Sequence, residues 1–501
     1  MSLSPRFTTL VGASALMIGS SASADVTAAQ VWEDWQRSLA IYGEDTISIG
    51  STSMIGDTLT VSDVTMRLVD ETTTTIIDMG DMVFTEAGDG TVDVTLPEQY
   101  PIIATNEDGS GGVRMTVTQG GLTTKVSGDP SRLVYDISAE RYAFSMDEIT
   151  VDDTTIDMDV RIGVNDMSGT YISEPGDIGV YGYILDAGSL DFVVDTPEGE
   201  NNQDRVTVVG QASNLSINFD YTVPAGGISE NPAELFSSGL TLNGGYAYDG
   251  ADMTIDMVSD GASFSTKLGL ANSAQQYDIS DNMLRYSGES NGVSIDATGA
   301  SLPFPIAMTL AAFSSSFVMP MGETDEPADF GISLGIEDLQ VSDMIWSMLD
   351  PTNALPHDPA TLLFELSGKM RLLMDGALAQ EQLLENDGAV PAEVYSLDLD
   401  TLKLDIIGAL LTGEGSFTFD NSDLDSFDGM PRPEGTATFT LTGLNALIDN
   451  LVSMGLVPAD QAMMGRMMTG MFARSTGDDE LTTTVEINGQ GHVIANGQRL
   501  Q

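Results

Sequence analysis

Along most of the chain, apolar residues alternate with Thr, Ser or Asp at a period of two. Thr46–Ile49, Thr58–Ser62, Thr91–Leu96, Val113–Val117 and Ile156–Ile162 all follow this rule. Successive side chains of a strand point to opposite faces, so the pattern predicts antiparallel strands with one solvated side. Asp108-Gly109, Asp249-Gly250 and Asp260-Gly261 supply turn chemistry between them.

Helical spacing interrupts this pattern in a few places. Thr27 and Gln30 fit a capping box, and Trp32, Trp35, Leu39 and Tyr42 share one face before Gly43, which predicts a helix within 25–43. Short helices are expected near Asn231–Ser237 and Ser342–Leu349. Leu399–Phe419 reads as two strands joined at Gly413-Glu-Gly415, and Thr436–Leu441 as another. Leu444, Leu447, Ile448, Leu451 and Val452 then trace an amphipathic helix ending near Gly455. Pro458 opens a second helix carrying Met463, Met464, Met467, Met468 and Met471. Leu481–Asn488 against His492–Leu500 forms a closing hairpin.

The fold class expected is therefore mainly β. It combines large antiparallel twisted sheet with an N-terminal helix and a C-terminal helix pair plus hairpin. Residues 122–138 and 264–280 share Thr-Lys and Tyr-Asp-Ile-Ser at one offset, 142 residues. This predicts a duplicated sheet-forming unit, with a first β-rich half over 44–225 and a second over 226–501. Length alone allows roughly two or three domains.

Composition adds compartment and exclusions. Met1–Arg6 is a short basic segment, Phe7–Ile18 is apolar, and Ser20–Ala24 consists of small residues. Residues 1–24 thus read as a signal peptide cleaved between Ala24 and Asp25, and the mature chain is expected to be periplasmic or secreted. No cysteine occurs, which excludes disulfides, thiolate nucleophiles and thiolate metal sites. No later apolar run approaches about 18 residues, so no transmembrane segment is expected. Hydrophobic content of 42% argues against global disorder. Against 76 acidic residues stand 18 basic ones, a net charge of −58. Such a surface repels nucleic acid and anionic membranes, so no nucleic-acid partner is expected. With only four lysines, the acidic surface reads as adaptation to salty surroundings.

Candidate chemistry is sparse. The two histidines, His357 and His492, sit in turn contexts, and neither G-x-S-x-G nor H-E-x-x-H occurs. Asp423–Glu434 is superficially like a calcium loop. Its Gly429 is at position seven rather than six, and Pro431 and Pro433 stiffen it. The reading is an acidic solvated turn. The methionine face of the last helix could bind Cu(I) or offer an adaptable apolar surface, but stripes at this spacing are mostly core, and a buried face is expected. No catalytic residue, cofactor or metal ligand is nominated.

Trp346-Ser-Met-Leu-Asp-Pro351, then Leu355-Pro-His-Asp-Pro-Ala360, then Leu366-Ser-Gly368, resembles the signature of an alphaproteobacterial family, the domain of unknown function 2125. Leu302-Pro303 and Met319-Pro320 echo its upstream part. The ending Ile487-Asn-Gly489 with Ala495-Asn-Gly-Gln498 also resembles, distantly, AsmA-type β-rich envelope proteins that handle lipids. The resemblance implies a β-rich envelope protein and carries no activity. Two functions stay open. One is a non-enzymatic periplasmic protein binding an apolar ligand or an envelope partner along a sheet. The other is a secreted hydrolase using paired carboxylates, with or without calcium.

Overall fold

Strands of 11 to 20 residues succeed one another, and each pairs with the one before and the one after. The structure is a computed structural model. It describes residues 25–40, 46–69, 72–151, 154–156, 158–196, 204–224, 239–322, 325–373 and 392–500. The leader expected over 1–24 with its Ala24/Asp25 cleavage, Tyr42 and Gly43, and the helix expected near Asn231–Ser237 lie outside these residues.

All 26 described strands join one antiparallel sheet. Its central run is a plain meander from Arg132–Val151 through Asp159–Glu174, Ile178–Asp195, Arg205–Pro224 and Thr241–Ser259, and onward to Arg432–Thr442. Glu480–Ile487 then pairs with Arg432–Thr442. The ladder passes through the expected 225/226 boundary, because Arg205–Pro224 pairs with Thr241–Ser259.

A line of left-handed residues crosses this sheet. Asp166, Asn214, Gly250, Gly292 and Asp338 lie inside strands with φ of +51°, +50°, +64°, +61° and +52°. They fall on one transverse line, because the ladders break or skip partners beside each of them. Asp63, Gly80 and Gly121 extend the line towards the N-terminus at +54°, +63° and +64°. Only Gly, Asp and Asn occur here, the residues that tolerate this region. A left-handed residue within a strand bends it and reverses the face on which the next side chain emerges. In Arg205–Pro224 the sheltered positions are Val206, Val208, Gly210 and Ala212 before Asn214, but Leu215, Ile217, Phe219, Tyr221 and Val223 after it. The crease thus keeps the apolar side chains of both strand halves on one side of the sheet.

Helix α1 (Ala28–Ala40) packs on that side at the N-terminal end. Its start is the predicted capping box. The Thr27 N–H donates to Gln30 Oε1 at 2.9 Å and the Gln30 N–H to Thr27 Oγ1 at 3.4 Å. Trp32 and Trp35 lie against Phe84, with centroids 5.8 and 6.1 Å away. Val31, Val61, Val64, Met82, Val92 and Val126 complete a fully buried core. Asp34, buried on the same face of α1, accepts hydrogen bonds from Tyr135 Oη at 2.6 Å and Ser173 Oγ at 2.9 Å. These bonds and Arg37 Nη1 at 3.3 Å satisfy a carboxylate that would otherwise be costly to bury.

Three short helices follow among the described residues. Helix α2 (Asp343–Leu349) stands near the predicted place. Helices α3 (Leu444–Ser453) and α4 (Ala459–Phe472) form the predicted pair, and Leu481 lies in the strand that follows them.

Four expectations need correction. Asp249-Gly250 is no turn: it lies within Thr241–Ser259, where Gly250 supplies the crease. Gly413-Glu-Gly415 is also mid-strand. A Cβ at Gly413 would meet the Phe439 ring and one at Gly415 the Ala437 methyl, so these glycines make room for neighbours, and the chain turns at Ile407-Gly408 instead. The duplicated unit fails. Lys125 and Tyr135 lie on opposite arms of a hairpin turned at Asp129–Ser131, whereas Lys267 and Tyr277 share the single strand Ala262–Ile279. Finally, Met463, Met464, Met467, Met468 and Met471 are exposed rather than buried. Ala462 and Arg466 occupy the sheltered side of α4, where Arg466 Nη2 donates to Asn445 O at 3.0 Å and Asp449 Oδ1 at 2.6 Å.

Two stability tests follow from the crease and from the hydrogen bonds to Asp34. Gly292→Val places a β-branched residue at positive φ, with its Cβ 2.9 Å from that of Ala271, and should cost about 1–3 kcal/mol. Asp166→Gly, which keeps the conformation accessible, should leave the calorimetric midpoint nearly unchanged; equal losses in both would sink the crease requirement. Tyr135→Phe removes a donor from buried Asp34 and should cost about 1–3 kcal/mol. Amide exchange within α1 should then speed up roughly 5- to 150-fold, and unchanged exchange would mean that this bond does not hold the helix down.

Candidate ligand trough

The sheet side that receives α1 bears unbroken apolar rows. Directly paired residues run Val92, Val126, Tyr135, Tyr171, Tyr183, Phe219, Gly244, Tyr277, Tyr286 and Phe317. The same row continues through Ile332, Leu366, Leu399, Gly415, Ala437 and Val485 to Ala495. It contains no charged, amide or small hydroxyl side chain, and its only side-chain polar atoms are the hydroxyls of Tyr135, Tyr171, Tyr183, Tyr277 and Tyr286. Directly opposite residues share a face, so these groups touch in sequence across the sheet. Ring centroids of Tyr183 and Phe219, and of Tyr277 and Tyr286, are 5.7 and 5.3 Å apart.

Beyond the crease a second row runs Tyr100, Val117, Phe144, Ile162, Phe192, Gly210, Met253, Leu268, Ile295, Met308 and Val341. One residue along each strand, the opposite face reads Asp136, Thr170, Ile184, Asn218, Gly245, Gln276, Ser287, Ser316, Ser333 and Glu365. Strand carboxylates such as Asp186, Asp191, Asp220, Asp256 and Asp296 also face this outer side, and Arg141 grips Asp191 there at 2.8 and 2.9 Å.

Away from α1, no described element forms a second layer over the inner face. In Arg205–Pro224 and Ala262–Ile279 its side chains are nevertheless more sheltered than the outer ones, so the creased sheet is concave towards them there. Several remain open to solvent: Ile332 is 46% and Ile162 41% exposed. The result is an open, apolar trough. At the α1 end it deepens into a cavity of about 540 Å³ lined by Trp35, Leu39, Ile137, Tyr171, Tyr181, Tyr221 and Val223. Its polar groups are few. Burial pushes the Tyr135 hydroxyl up, and the Asp34 carboxylate pushes it further, so it stays protonated and donates to Asp34. Burial likewise raises Tyr171, with Tyr221 beside it. The buried Gln119 side chain donates from Nε2 to Pro97 O, where the strand run from Val92 to Asn106 is interrupted.

The structure separates the groups singled out in the sequence. His357 lies in the loop after α2. Its ring stacks on Trp346 at 4.1 Å and 10°, and Nε2 is 3.4 Å from Asp350 Oδ2. His492 lies in the last hairpin, where its N–H donates to Asn488 Oδ1 at 3.1 Å. The acidic turn is closed on itself: Arg432 reaches Asp420 and Asp423, each at 2.9 Å, and Ser426 Oγ donates to Asp423 at 2.9 Å. The Trp-Leu-Asp-Pro signature is a buttress. Asp350 accepts from the Leu355 N–H at 2.7 Å and Thr352 Oγ1 at 3.0 Å, folding the loop back under α2. The trough itself was not nominated from the sequence. Its signal is the change of alternation phase at Asp166, Asn214, Gly250 and Gly292 within runs too long for one pleated strand.

Residues 248–494 match the model of a family described as "Uncharacterized protein conserved in bacteria (DUF2125)", which assigns this part of the chain to that family. No curated protein matches the chain. No solved structure matches it.

The Asp350 buttress sets a pH response. Desolvation pushes its carboxyl up, but the N–H groups of Leu355 and Ala354, with Thr352 and His357, outweigh this and hold it at about 2. A depressed carboxyl stabilises the fold fully above its ordinary value near 3.9 and loses that contribution as pH falls through the lowered one. The Trp346 resonance in fluorotryptophan-labelled protein should therefore hold from pH 6 to 4 and shift between pH 4 and 2. In Asp350→Asn it should be shifted throughout. A wild-type transition above pH 5 would contradict this account.

Proposed function

We propose that this chain, a DUF2125-family protein over residues 248–494, is a non-enzymatic carrier that holds an extended apolar ligand along the inner face of its sheet. The ligand class is the lipid acyl chain. One observation carries the reading: a row of directly paired aliphatic, aromatic and glycine residues from Val92 to Ala495 with no charged side chain and tyrosine hydroxyls as its only side-chain polar atoms, in a chain that contains 76 acidic residues. Exposed apolar surface of this extent is rarely left on a soluble protein without a use. At about 4.8 Å per strand, the part from Tyr135 to Ala495 measures roughly 65 Å along the sheet. That is several acyl-chain lengths, and each methylene moved from water into the trough contributes about 0.8 kcal/mol. The aromatic row suits such a ligand, because rings give large contact area with little rotamer freedom to lose. We place this carrier outside the cytoplasm, as the leader-like segment suggests, with the α1 cavity as the closed end of the path.

The test uses neighbouring positions on opposite faces. A photo-crosslinking amino acid at Tyr286 or Phe317 should capture acyl lipid when the protein is purified from its own envelope, whereas one at Ser287 or Ser316 should not. Mass spectrometry of the adducts identifies the ligand. Equal labelling of both faces, or none, would overturn the carrier reading. Leu268→Asp, which puts a charge into the second row, should cut recovered lipid several-fold while Ser265→Asp, on the outer side, should not.

A further inference from the structure

We infer that the C-terminal corner of the sheet, formed by α4 with α2 and the α3–α4 turn, docks on an uncharged or zwitterionic lipid surface. Met463, Met464, Met467, Met468 and Met471 are 52–69% exposed, and Phe472 continues their face. This side of α4 is free by construction. Ala462 and Arg466 hold the opposite side, and Phe472 O accepts from Thr483 Oγ1 at 2.9 Å and Asn496 Nδ2 at 2.7 Å. A Cβ at Gly465 or Gly470 would meet nothing within 4 Å. Leu456, 63% exposed, extends the patch from the α3–α4 turn.

Helix α2 leaves the same sheet edge, and adds exposed Met348 and Leu349. The pairs Leu339↔Ala360, Thr361↔Asp405, Asp405↔Leu410 and Leu410↔Thr442 place the strand ends before α2 and α3 on one sheet edge. The trough reaches this edge as well. The apolar row Ile336, Leu362, Leu404, Leu411, Leu441 and Leu481 ends in the strands that flank the helix pair.

Charge selects the occupant. Residues 451–472 hold six of the 27 methionines but only one acidic residue, Asp460, and one basic residue, Arg466, which is tied to Asp449. Elsewhere the chain carries the acidic groups that make its net charge −58. Self-repulsion opposes a second copy and an anionic membrane alike, and the patch offers no carboxylate cluster to a basic protein. A lipid surface without net charge meets no such opposition. Flexible thioethers and a phenylalanine on the exposed face of α4, with Leu456 in the turn before it, suit insertion at a bilayer interface. The inference rests on the carrier reading for its purpose, since a carrier of acyl lipid needs a place to exchange it.

Flotation of the full chain with vesicles tests this separately from carriage. The protein should float with pure phosphatidylcholine vesicles. Binding should fall when a third of the lipid is phosphatidylglycerol, and recover in 1 M salt. Met463→Asp with Met467→Asp should reduce flotation at least tenfold with an unchanged circular dichroism spectrum. Met464→Leu with Met468→Leu, which keeps the surface apolar, should leave it intact. Absence of wild-type flotation, equal flotation of the Asp variant, or loss in the Leu variant would overturn the inference, the last by pointing to thioether chemistry such as Cu(I). Sedimentation showing a dimer that only the Asp variant loses would assign the face to a second copy. Crosslinking at Tyr286 that persists when flotation fails would sink the docking surface and spare the carrier.

Discussion

An L-residue in a strand sends its side chain to one face, and the next residue to the other, until something reverses the order. Here that reversal is built from the few residues that can sit at positive φ inside a strand: Asp166, Asn214, Gly250, Gly292 and Asp338. The trough depends on it. Strands of 18 or 20 residues are long enough to twist markedly, and a flat sheet of them would be unusual. A crease at one transverse line lets each strand bend once, while both halves keep their apolar residues on the concave side. If the alternation simply ran on through Asn214, then Val206 and Val208 would face solvent while Phe219 and Tyr221 faced the trough.

Such an architecture has little conventional core. Fully buried large side chains gather beside α1, at Phe84, Met82, Val61, Val92 and Leu133, and thin out afterwards. Past α1 the sheet is held by its backbone ladder, by cross-strand ring contacts such as Tyr181 with Tyr221 at 5.2 Å, and by outer-face ion pairs that are worth little in water. The ends of the ladder are managed in different ways. At the start, α1 and the short strands Ile47–Ser48 and Ser51–Ile55 cover the sheet. At the finish, Val493–Ala495 and Gln498–Arg499 are too short to template another chain. Asp34 matters here beyond its own hydrogen bonds, because Tyr135 and Ser173 belong to different strands and α1 pins both.

What could be read from the sequence was whatever depends on local pattern. The capping box at Thr27 and Gln30, the strands and the helix pair around Pro458 all follow from neighbours within a few residues, and the structure has them where expected. What escaped depends on context that a local window does not contain. Asp249-Gly250 has turn chemistry, yet the strand continues through it because the partners at Ser213 and Asn272 continue too. The methionines of α4 have core spacing, yet the sheltered side of α4 is that of Ala462 and Arg466, and Arg466 ties it to α3. Lys125 and Lys267 sit in similar words of sequence, but one word contains a turn and the other does not. The trough was hidden for the same reason as the crease, since its rows exist only after each strand has been paired with the next.

The acidity of the chain takes on a structural sense once the faces are known. A long apolar face open to solvent invites two copies to close on each other, the ordinary hazard of exposed sheet. Outer-face carboxylates such as Asp186, Asp191, Asp220 and Asp256 lie one pleat away from the apolar rows, so no copy can present its trough without also presenting this charge. Salt shortens the range of that repulsion to about 8 Å at physiological strength, still longer than the separation between strands. On the carrier reading proposed above, the charge opposes other copies while leaving an uncharged ligand free to enter the trough. At the C-terminal corner this charge is sparse, with Asp460 the one acidic residue over 451–472, and there the exposed side chains are flexible, uncharged ones that tolerate an apolar phase.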